Sequence, residues 1–445
     1  MIAPKFDSIL LDTLRILGQQ FGDSPPETTL IRDALGKLVV TIPDNAMSDS
    51  AEWDALADEL HRALGIYSPG SKRILLRHSD LVVPEDILDS PDRVRFPDAS
   101  KTWLIDRLQT NQDWLRKPLV EQPPLPAAVA FSIKGGVGRT TAFALWAWYL
   151  AKQSKNVVLV DLEAPGVAGV LLDEDHMPDY GLVDWLVECL VGQPNEALLR
   201  ECMVDCALSN DEPGRIRVLP AFGRKTQDYV NKLGRIYMPT FRAETGEFSG
   251  LAERLLILLQ QLAGLFDKPD AVLLDARAGL HDIGSAAVTR LGAKVFLFAR
   301  DEYQSWQAYK KLFQHLRMAQ SVEWGMPEND LRWRLSMVAA QTESTDAARL
   351  RFVERSYETW QEFYDTDEIE EEEKKKLGRE PQLFNPEDTG PHQPAFIGFD
   401  PRVRSFDLID SQARPSWQAV EQAFGKFFPN ATTRLLQNNL AQETI

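Results

Sequence analysis

The chain is poor in cysteine. Three thiols, Cys189, Cys202 and Cys206, serve 445 residues, too few for the disulfide framework of a small secreted scaffold. Cys202 and Cys206 stand four apart, so on a helix they would share a face. No histidine or second cysteine pair lies near them. Buried thiols are therefore expected, with a metal pair as the weaker alternative. Long apolar runs are missing as well. No stretch approaches the ~20 residues needed to span a bilayer, and the N-terminus lacks the basic segment and apolar core of a secretory signal. The expectation is a cytoplasmic protein with no membrane partner. Basic charge is also in deficit, with 49 lysines and arginines against 66 acids and a net charge of −17. A broad nucleic-acid surface needs the opposite balance, so nucleic acid is disfavoured as a partner but not excluded. Acidic balance favours solubility.

The length suggests two to three domains. Residues 1–117 carry no chemical motif. Phe6, Ile9, Leu10, Leu14 and Leu17 fall at helical spacing. Leu38–Ile42, ending at Pro43, reads as a strand. Ser50 reads as the N-cap of a helix whose apolar face is Trp53, Leu56, Leu60 and Leu64. Arg73–Arg77 is a second candidate strand, and Trp103, Ile105, Leu108 and Trp114 suggest a last helix. A small α/β recognition or assembly domain is expected, able to bind a protein partner not named by the sequence. The proline-rich stretch Lys117–Pro126 can be neither helix interior nor central strand. Residues 118–126 read as a stiff linker, with a second domain over 127–445.

That domain opens with V-A-F-S-I-K-G-G-V-G-R-T-T-A-F-A-L-W-A-W, Val129 to Trp148. It reads as a strand, a glycine-rich turn and a helix. Such a turn aims backbone N–H groups into one concavity at a helix N-terminus, where they and the helix dipole favour phosphate. The alternative is a plain tight strand–helix turn. A threonine in the first helical turn can place its hydroxyl on magnesium. The general pattern G-x-x-x-x-G-K-[ST] is broken by Ile133 in place of the first glycine and Arg139 in place of the lysine.

Asn156–Asp161 is a near-continuous apolar run, as in a parallel strand buried on both faces. It ends in Asp161-Leu162-Glu163-Ala164-Pro165-Gly166. Acids at the carboxyl end of a parallel strand sit where a metal-bound phosphate would lie; helix-capping or loop acids are the alternative. Ala271–Asp275 is a second apolar strand ending in aspartate, followed by Ala276-Arg277-Ala278-Gly279. A carboxylate there can hold magnesium opposite the threonine. Arg277 either contacts phosphate or a partner subunit, or is a surface arginine in salt bridges.

Further strands are read at Ile216–Ala221, Lys294–Phe298, Leu335–Ala340 and Ala395–Phe399, and helices from Gly181, from Leu251 to Phe266 and from Tyr303 to Leu316. The stretch Arg224–Arg242 is locally basic and aromatic; it is a partner or nucleic-acid patch, or else a solvated face. Residues 343–390 look like an insertion. Glu370–Lys374, Glu371–Lys375 and Glu372–Lys376 within it predict a solvated helix. Trp417–Leu440 is helical by period.

Taken in order, these motifs resemble the ParA/MinD-type ATPases, whose deviant phosphate loop reads K-G-G-x-G-K-[ST]. Lys134, Gly135, Gly136, Gly138 and Thr140 match; Arg139 departs. The resemblance implies a doubly wound, mostly parallel α/β sheet of P-loop type, binding ATP and Mg2+. It implies that Gly135, Gly136, Val137, Gly138, Arg139, Thr140 and Thr141 hold phosphates, and that Thr140, Asp275 and Asp161 serve the metal. Glu163 falls on the family's second acid, which positions the attacking water, although the family has aspartate there. Gly279 matches the switch glycine, Gln341 falls near the residue that reads adenine, and Pro401 near the loop that packs on the base. Lys134 matches the lysine that reaches across a nucleotide-sandwich homodimer. The implied catalytic set is Glu163, Lys134 and Arg139. The implied function is a slowly hydrolysing switch that controls a partner. A non-hydrolysing sensor or scaffold and a DNA-partition motor are the alternatives. An arginine in this turn also resembles accessory ATPases of bacterial multi-gene systems, including antiviral ones.

Overall fold

The computed structural model describes residues 4–436 apart from 243–246, 320–330, 365–383, 402–406 and positions 23, 91, 97, 98, 100, 109, 117, 120, 165, 193 and 411. The acidic helix expected over 367–376, the tail residues 437–440, Pro165, Lys117 and Val120 therefore lie outside the described residues. The chain divides after Lys117 into two compact units.

In the first unit, α1 (Ile9–Phe21) and α2 (Ser50–Leu64) accompany a five-stranded mixed sheet. Its strands are β1 (Thr28–Arg32), β2 (Leu38–Ile42), β3 (Leu75–Arg77), β4 (Val94–Arg95) and β5 (Thr102–Asp106), in the order β3-β2-β1-β5-β4. Ile9, Leu30, Leu38, Val40, Ile42, Leu60 and Leu64 are fully buried between helices and sheet. Three expectations are corrected here. Asp49 rather than Ser50 is the N-cap of α2, its carboxylate accepting from Ala51 N–H at 2.8 Å. Arg73 and Ile74 belong to a helical turn, and only Leu75–Arg77 is strand. The expected last helix is instead β5, paired in parallel with β1. Trp103 and Ile105 fit a two-residue period as well as a helical one, and the long-range partner β1 decides the outcome.

The second unit is built on an eight-stranded sheet in the order β15-β14-β13-β6-β12-β7-β9-β8. The strands are β6 (Ala127–Phe131), β7 (Val157–Asp161), β8 (Val204–Asp205), β9 (Ile216–Leu219), β12 (Ala271–Asp275), β13 (Lys294–Ala299), β14 (Leu335–Thr342) and β15 (Ala395–Gly398). A separate hairpin joins β10 (Thr240–Arg242) to β11 (Glu247–Ser249). All pairings in the large sheet are parallel except that of the edge strand β8. Both faces are covered. Ala128, Ala130, Leu273, Phe296 and Phe298 pack with α3 (Arg139–Lys152) and the last helices, α9 (Trp417–Phe424) and α10 (Phe427–Leu436). Val129, Phe131, Val272, Leu274, Val295 and Leu297 alternate with them and are as deeply buried. This is why these strands read as unbroken apolar runs.

The longer connecting helices are α4 (Leu182–Leu190), α5 (Tyr229–Ile236), α6 (Leu251–Gly264), α7 (Tyr303–Ala319) and α8 (Asp346–Trp360). Helix α8 covers the first part of the 343–390 segment. It is a crossover between β14 and β15, capped by Thr345, with Phe352 and Trp360 fully buried. Cys202 closes a short helix, Glu196–Glu201, and Cys206 follows β8, so they do not share a helix face; both are buried and free. Leu119 N–H donates to Thr289 O at 2.9 Å, which ties the start of the proline-rich stretch to the larger unit. No described helix is long and apolar enough to cross a membrane.

Helix α3 is apolar nearly all round because it lies between the sheet and α10. Trp146 is its anchor. It is fully buried, its ring is edge-on to Phe143, Phe296 and Phe427, and its indole N–H reaches Thr432 Oγ1 at 3.0 Å. Trp146→Ala is expected to lose about 3–5 kcal/mol of unfolding free energy, and Trp146→Phe clearly less. Urea unfolding of both variants checks the order.

Candidate functional site

The carboxyl ends of β6, β12 and β7 lie side by side, so the segments that follow them share one edge. Between Phe131 and Arg139 the chain turns through a glycine-rich loop. Gly136 (φ 73°) and Gly138 (φ 88°) adopt the left-handed backbone that favours glycine. Gly138 is the residue from which α3 starts, and it brings no side chain to cover the helix end. The first N–H groups of α3 have no acceptor within the helix, so the turn and helix end form a concave set of donors. Val137 is buried beneath the turn, while Lys134, Gly135 and Gly136 are exposed at its tip. Ser132 braces it, donating its hydroxyl to Lys134 O at 2.7 Å and accepting Gly279 N–H at 2.9 Å.

Beneath the turn, β12 is in register with both neighbours, Asp275 opposite Ala130 of β6 and Asp161 of β7. Two carboxylates are thus adjacent and almost fully buried. Thr140 donates its hydroxyl to Asp275 Oδ2 at 2.8 Å. Oδ1 of Asp161 and Oδ1 of Asp275 are buried without a hydrogen-bond partner. Burial, then the neighbouring Asp275, pushes the Asp161 carboxyl up to about 7. Burial pushes Asp275 up to about 6, against the opposing pull of the Thr140 hydrogen bond and Arg139. Two unsatisfied carboxylate oxygens and a hydroxyl at one strand edge fit a hard dication that takes oxygen ligands. Gly166 lies so close to Asp161 that an added Cβ would overlap its carboxylate.

Arg139 is half-buried, and its Nη1 has no hydrogen-bond partner. Burial lowers its pKa, while Asp275 favours its charge. Two other charged residues of the site are engaged. Glu163, with a side chain only 9% exposed, meets Arg277 Nη1 at 2.6 Å. Lys134 Nζ meets Glu302 Oε2 at 2.6 Å. Thr141 lines a pocket beside the turn together with Val137, Gly138, Gln341, Ile397, Gly398, Phe399 and Asp400. Gln341, itself at φ 54°, donates to Gly136 O at 3.5 Å. Pro401 follows Asp400 directly but is exposed and outside this lining. The structure thus gathers Lys134 to Thr141, Asp161, Glu163, Asp275 and Gly279 at one edge.

Sequence reasoning did not single out Glu302, Tyr309, Phe399 or Asp400. Tyr309 could have been found from its helical register, since α7 turns it inward, where its hydroxyl donates to Phe298 O at 2.8 Å. Three cations of the locally basic stretch are met by acids outside it. Arg224 and Lys225 pair with Asp179, and Lys232 pairs with Asp184. A polar cleft at the opposite, amino end of β7 and β12 has its charges already matched, Arg217 with Asp267 and Arg215 with Asp205.

No protein-family model and no curated protein matches the chain. Solved structures do. Its structural neighbours include ParA and MinD. The pNOB8 ParA bound to nonspecific DNA is 16% identical over 71% of this chain and 98% of its own, with a TM-score of 0.40. The septum site-determining protein MinD with Mg-ADP, from Pyrococcus horikoshii OT3, is 17% identical over 72% of this chain and 100% of its own, with a TM-score of 0.39. Cobyrinic acid a,c-diamide synthase from Mycobacterium smegmatis, with an ATP analogue and magnesium, is 20% identical over 50% and 78%, with a TM-score of 0.35. At these identities and TM-scores the likenesses carry no argument about the site, which stands on its geometry.

The raised carboxyls give a pH signature. A carboxylate with a raised folded-state pKa opposes folding once pH passes its unfolded value near ~4. The opposition grows until pH passes the folded value, about 7 for Asp161. Asp161→Asn removes that cost and keeps an acceptor for Ala168 N–H. The variant is expected to melt several degrees above the parent at pH 8 and close to it at pH 4.5, by thermal unfolding without nucleotide or divalent ions. An equal shift at both pH values would rule out titration as the cause.

Proposed function

We propose that the chain is an ATP-binding, slowly ATP-hydrolysing molecular switch that uses magnesium, dimerises around nucleotide and controls a protein partner through its N-terminal unit. The observation that carries this reading is the Thr140–Asp275 hydrogen bond at the mouth of the glycine turn, with Asp161 directly alongside. In this reading the N–H groups of Gly135 to Thr141 hold the α- and β-phosphates. Thr140, Asp275 and Asp161 hold magnesium directly or through water. Magnesium, when bound, would neutralise phosphate charge and orient the terminal phosphoryl group. Gln341 and the segment from Ile397 through Asp400 receive the base, with Pro401 at its edge. Glu163 orients the attacking water, and Gly279 lets the loop after Asp275 approach the terminal phosphate.

Arg139 sets the expected pace. A guanidinium binds phosphate as a planar fork and needs more room than an ammonium. It supports tight binding and restrained turnover. Lys134 would act on the nucleotide of a second copy, after exchanging Glu302 for phosphate. A second reading, a non-hydrolysing sensor, is favoured by the Arg277–Glu163 pair, which engages the carboxylate that would take the water's proton. A DNA-partition role is disfavoured by the net charge of −17.

Native mass spectrometry with ATP and magnesium is expected to find one nucleotide per chain in a dimer. Lys134→Ala should keep the nucleotide and lose the dimer. A parent chain with no bound nucleotide at millimolar ATP would overturn the reading. Phosphate release should also be faster in Arg139→Lys than in the parent. An unchanged rate would end the claim that arginine restrains hydrolysis, and no release from either would favour the sensor.

A further inference from the structure

We propose that Arg277 reports the terminal phosphate. It holds Glu163 while no γ-phosphate is present. On binding a nucleoside triphosphate it moves to a γ-phosphate oxygen, freeing Glu163 to take the attacking water. The inference rests on the nucleotide-site reading above and adds a discriminating residue to it.

Glu163 is nearly buried and, among the described residues, pairs with Arg277 at 2.6 Å. A paired carboxylate is a weak acceptor for a water proton, because its charge is already engaged. The wall beside it is aromatic: Tyr229 accepts Ala164 N–H at 3.3 Å, and Tyr237 is held by burial and by Glu163 far above the usual tyrosine range. The Arg277 side chain is 58% exposed, so its head has room to swing. The residues after it are held against the glycine turn. Ala278 Cβ lies 4.0 Å from where a Cβ on Gly135 would stand, and Gly279, at φ 106°, donates its N–H to Ser132. Arg277 is therefore an exposed head on a chain segment held beside the glycine turn.

Moving from Glu163 to a phosphate oxygen exchanges one charge-assisted bond for another, and a phosphate can take the guanidinium fork bidentately. A diphosphate ends one group short and leaves the pair intact. In the hydrolytic step the water oxygen bonds to the γ-phosphorus as the bridging P–O bond breaks. Its electron pair leaves on ADP, and Glu163 accepts the water proton.

Calorimetric titration of the full chain with Mg-ADP and with a non-hydrolysable Mg-ATP analogue tests this. Arg277→Ala is expected to leave ADP affinity within about twofold, to weaken the analogue tenfold or more, and to be partly rescued by Arg277→Lys. Glu163→Gln should tighten analogue binding at least threefold in the parent background and not in Arg277→Ala. Equal weakening of both nucleotides by Arg277→Ala would reduce Arg277 to a structural role and overturn the proposal. So would a Glu163→Gln gain that persists without Arg277, since that is plain charge repulsion. A parent chain that binds neither nucleotide would sink the site reading and this proposal together, an outcome distinct from either.

Discussion

Everything at the candidate site depends on two carboxylates that the sheet forces together. Asp161 and Asp275 are direct partners at the ends of adjacent parallel strands. Parallel pairing puts the carboxyl ends of β6, β12 and β7 on one edge, and burial of both sheet faces fixes the register. A slip of one residue would turn every side chain of β12 to the other face. The acids are therefore held by the core more than by their few hydrogen bonds, and they stay side by side although burial works against their charge. Each acid keeps one buried oxygen without a hydrogen-bond partner, which fits an oxygen-seeking cation.

The second unit was legible because its signal is long and of one kind. Strands buried on both faces read as apolar runs, and their ends, where the chemistry lies, follow directly. The first unit was less legible. Its sheet is mixed and its strands short, so Trp103 and Ile105 carry two periods at once, and only the pairing of β5 with β1 separates them. Thr28–Arg32, the strand at the centre of that pairing, gave no apolar run to notice. At the site, motif spacing reached the acids and the glycines. It could not reach the two ion pairs, because their partners stand 168 residues apart in Lys134–Glu302 and 114 in Arg277–Glu163. Which acid meets which cation is a property of the folded edge.

Those pairs give the ligand-free edge an internal balance. Lys134 is matched by Glu302 and Arg277 by Glu163. A polyphosphate brings several negative charges to a place where acids already hold two of the cations. It can bind well only if the pairs reorganise or a metal enters between the acids. The same exchange makes the site responsive. An exposed pair such as Lys134–Glu302 is worth little in itself, on the order of 0–1 kcal/mol, so it opens at little cost. The pair at Glu163 is less exposed on the acid side and harder to open without a substitute anion.

Arg139 stands apart from this exchange. Among the described residues it makes no ion pair, and one guanidinium nitrogen is buried with no partner. Burial opposes its charge and Asp275 supports it. A half-buried, permanently charged fork at the start of α3 cannot adjust by losing its proton, and it has no acid partner as Lys134 and Arg277 have. Lys134 and Arg300 share Glu302, and Arg277 holds Glu163, whereas Arg139 has no acid partner among the described residues. A guanidinium without an acid partner can meet an incoming anion without an ion pair first having to open. At the ligand-free edge, then, Lys134 and Arg277 are each held by an acid, whereas Arg139 is held by its burial at the start of α3.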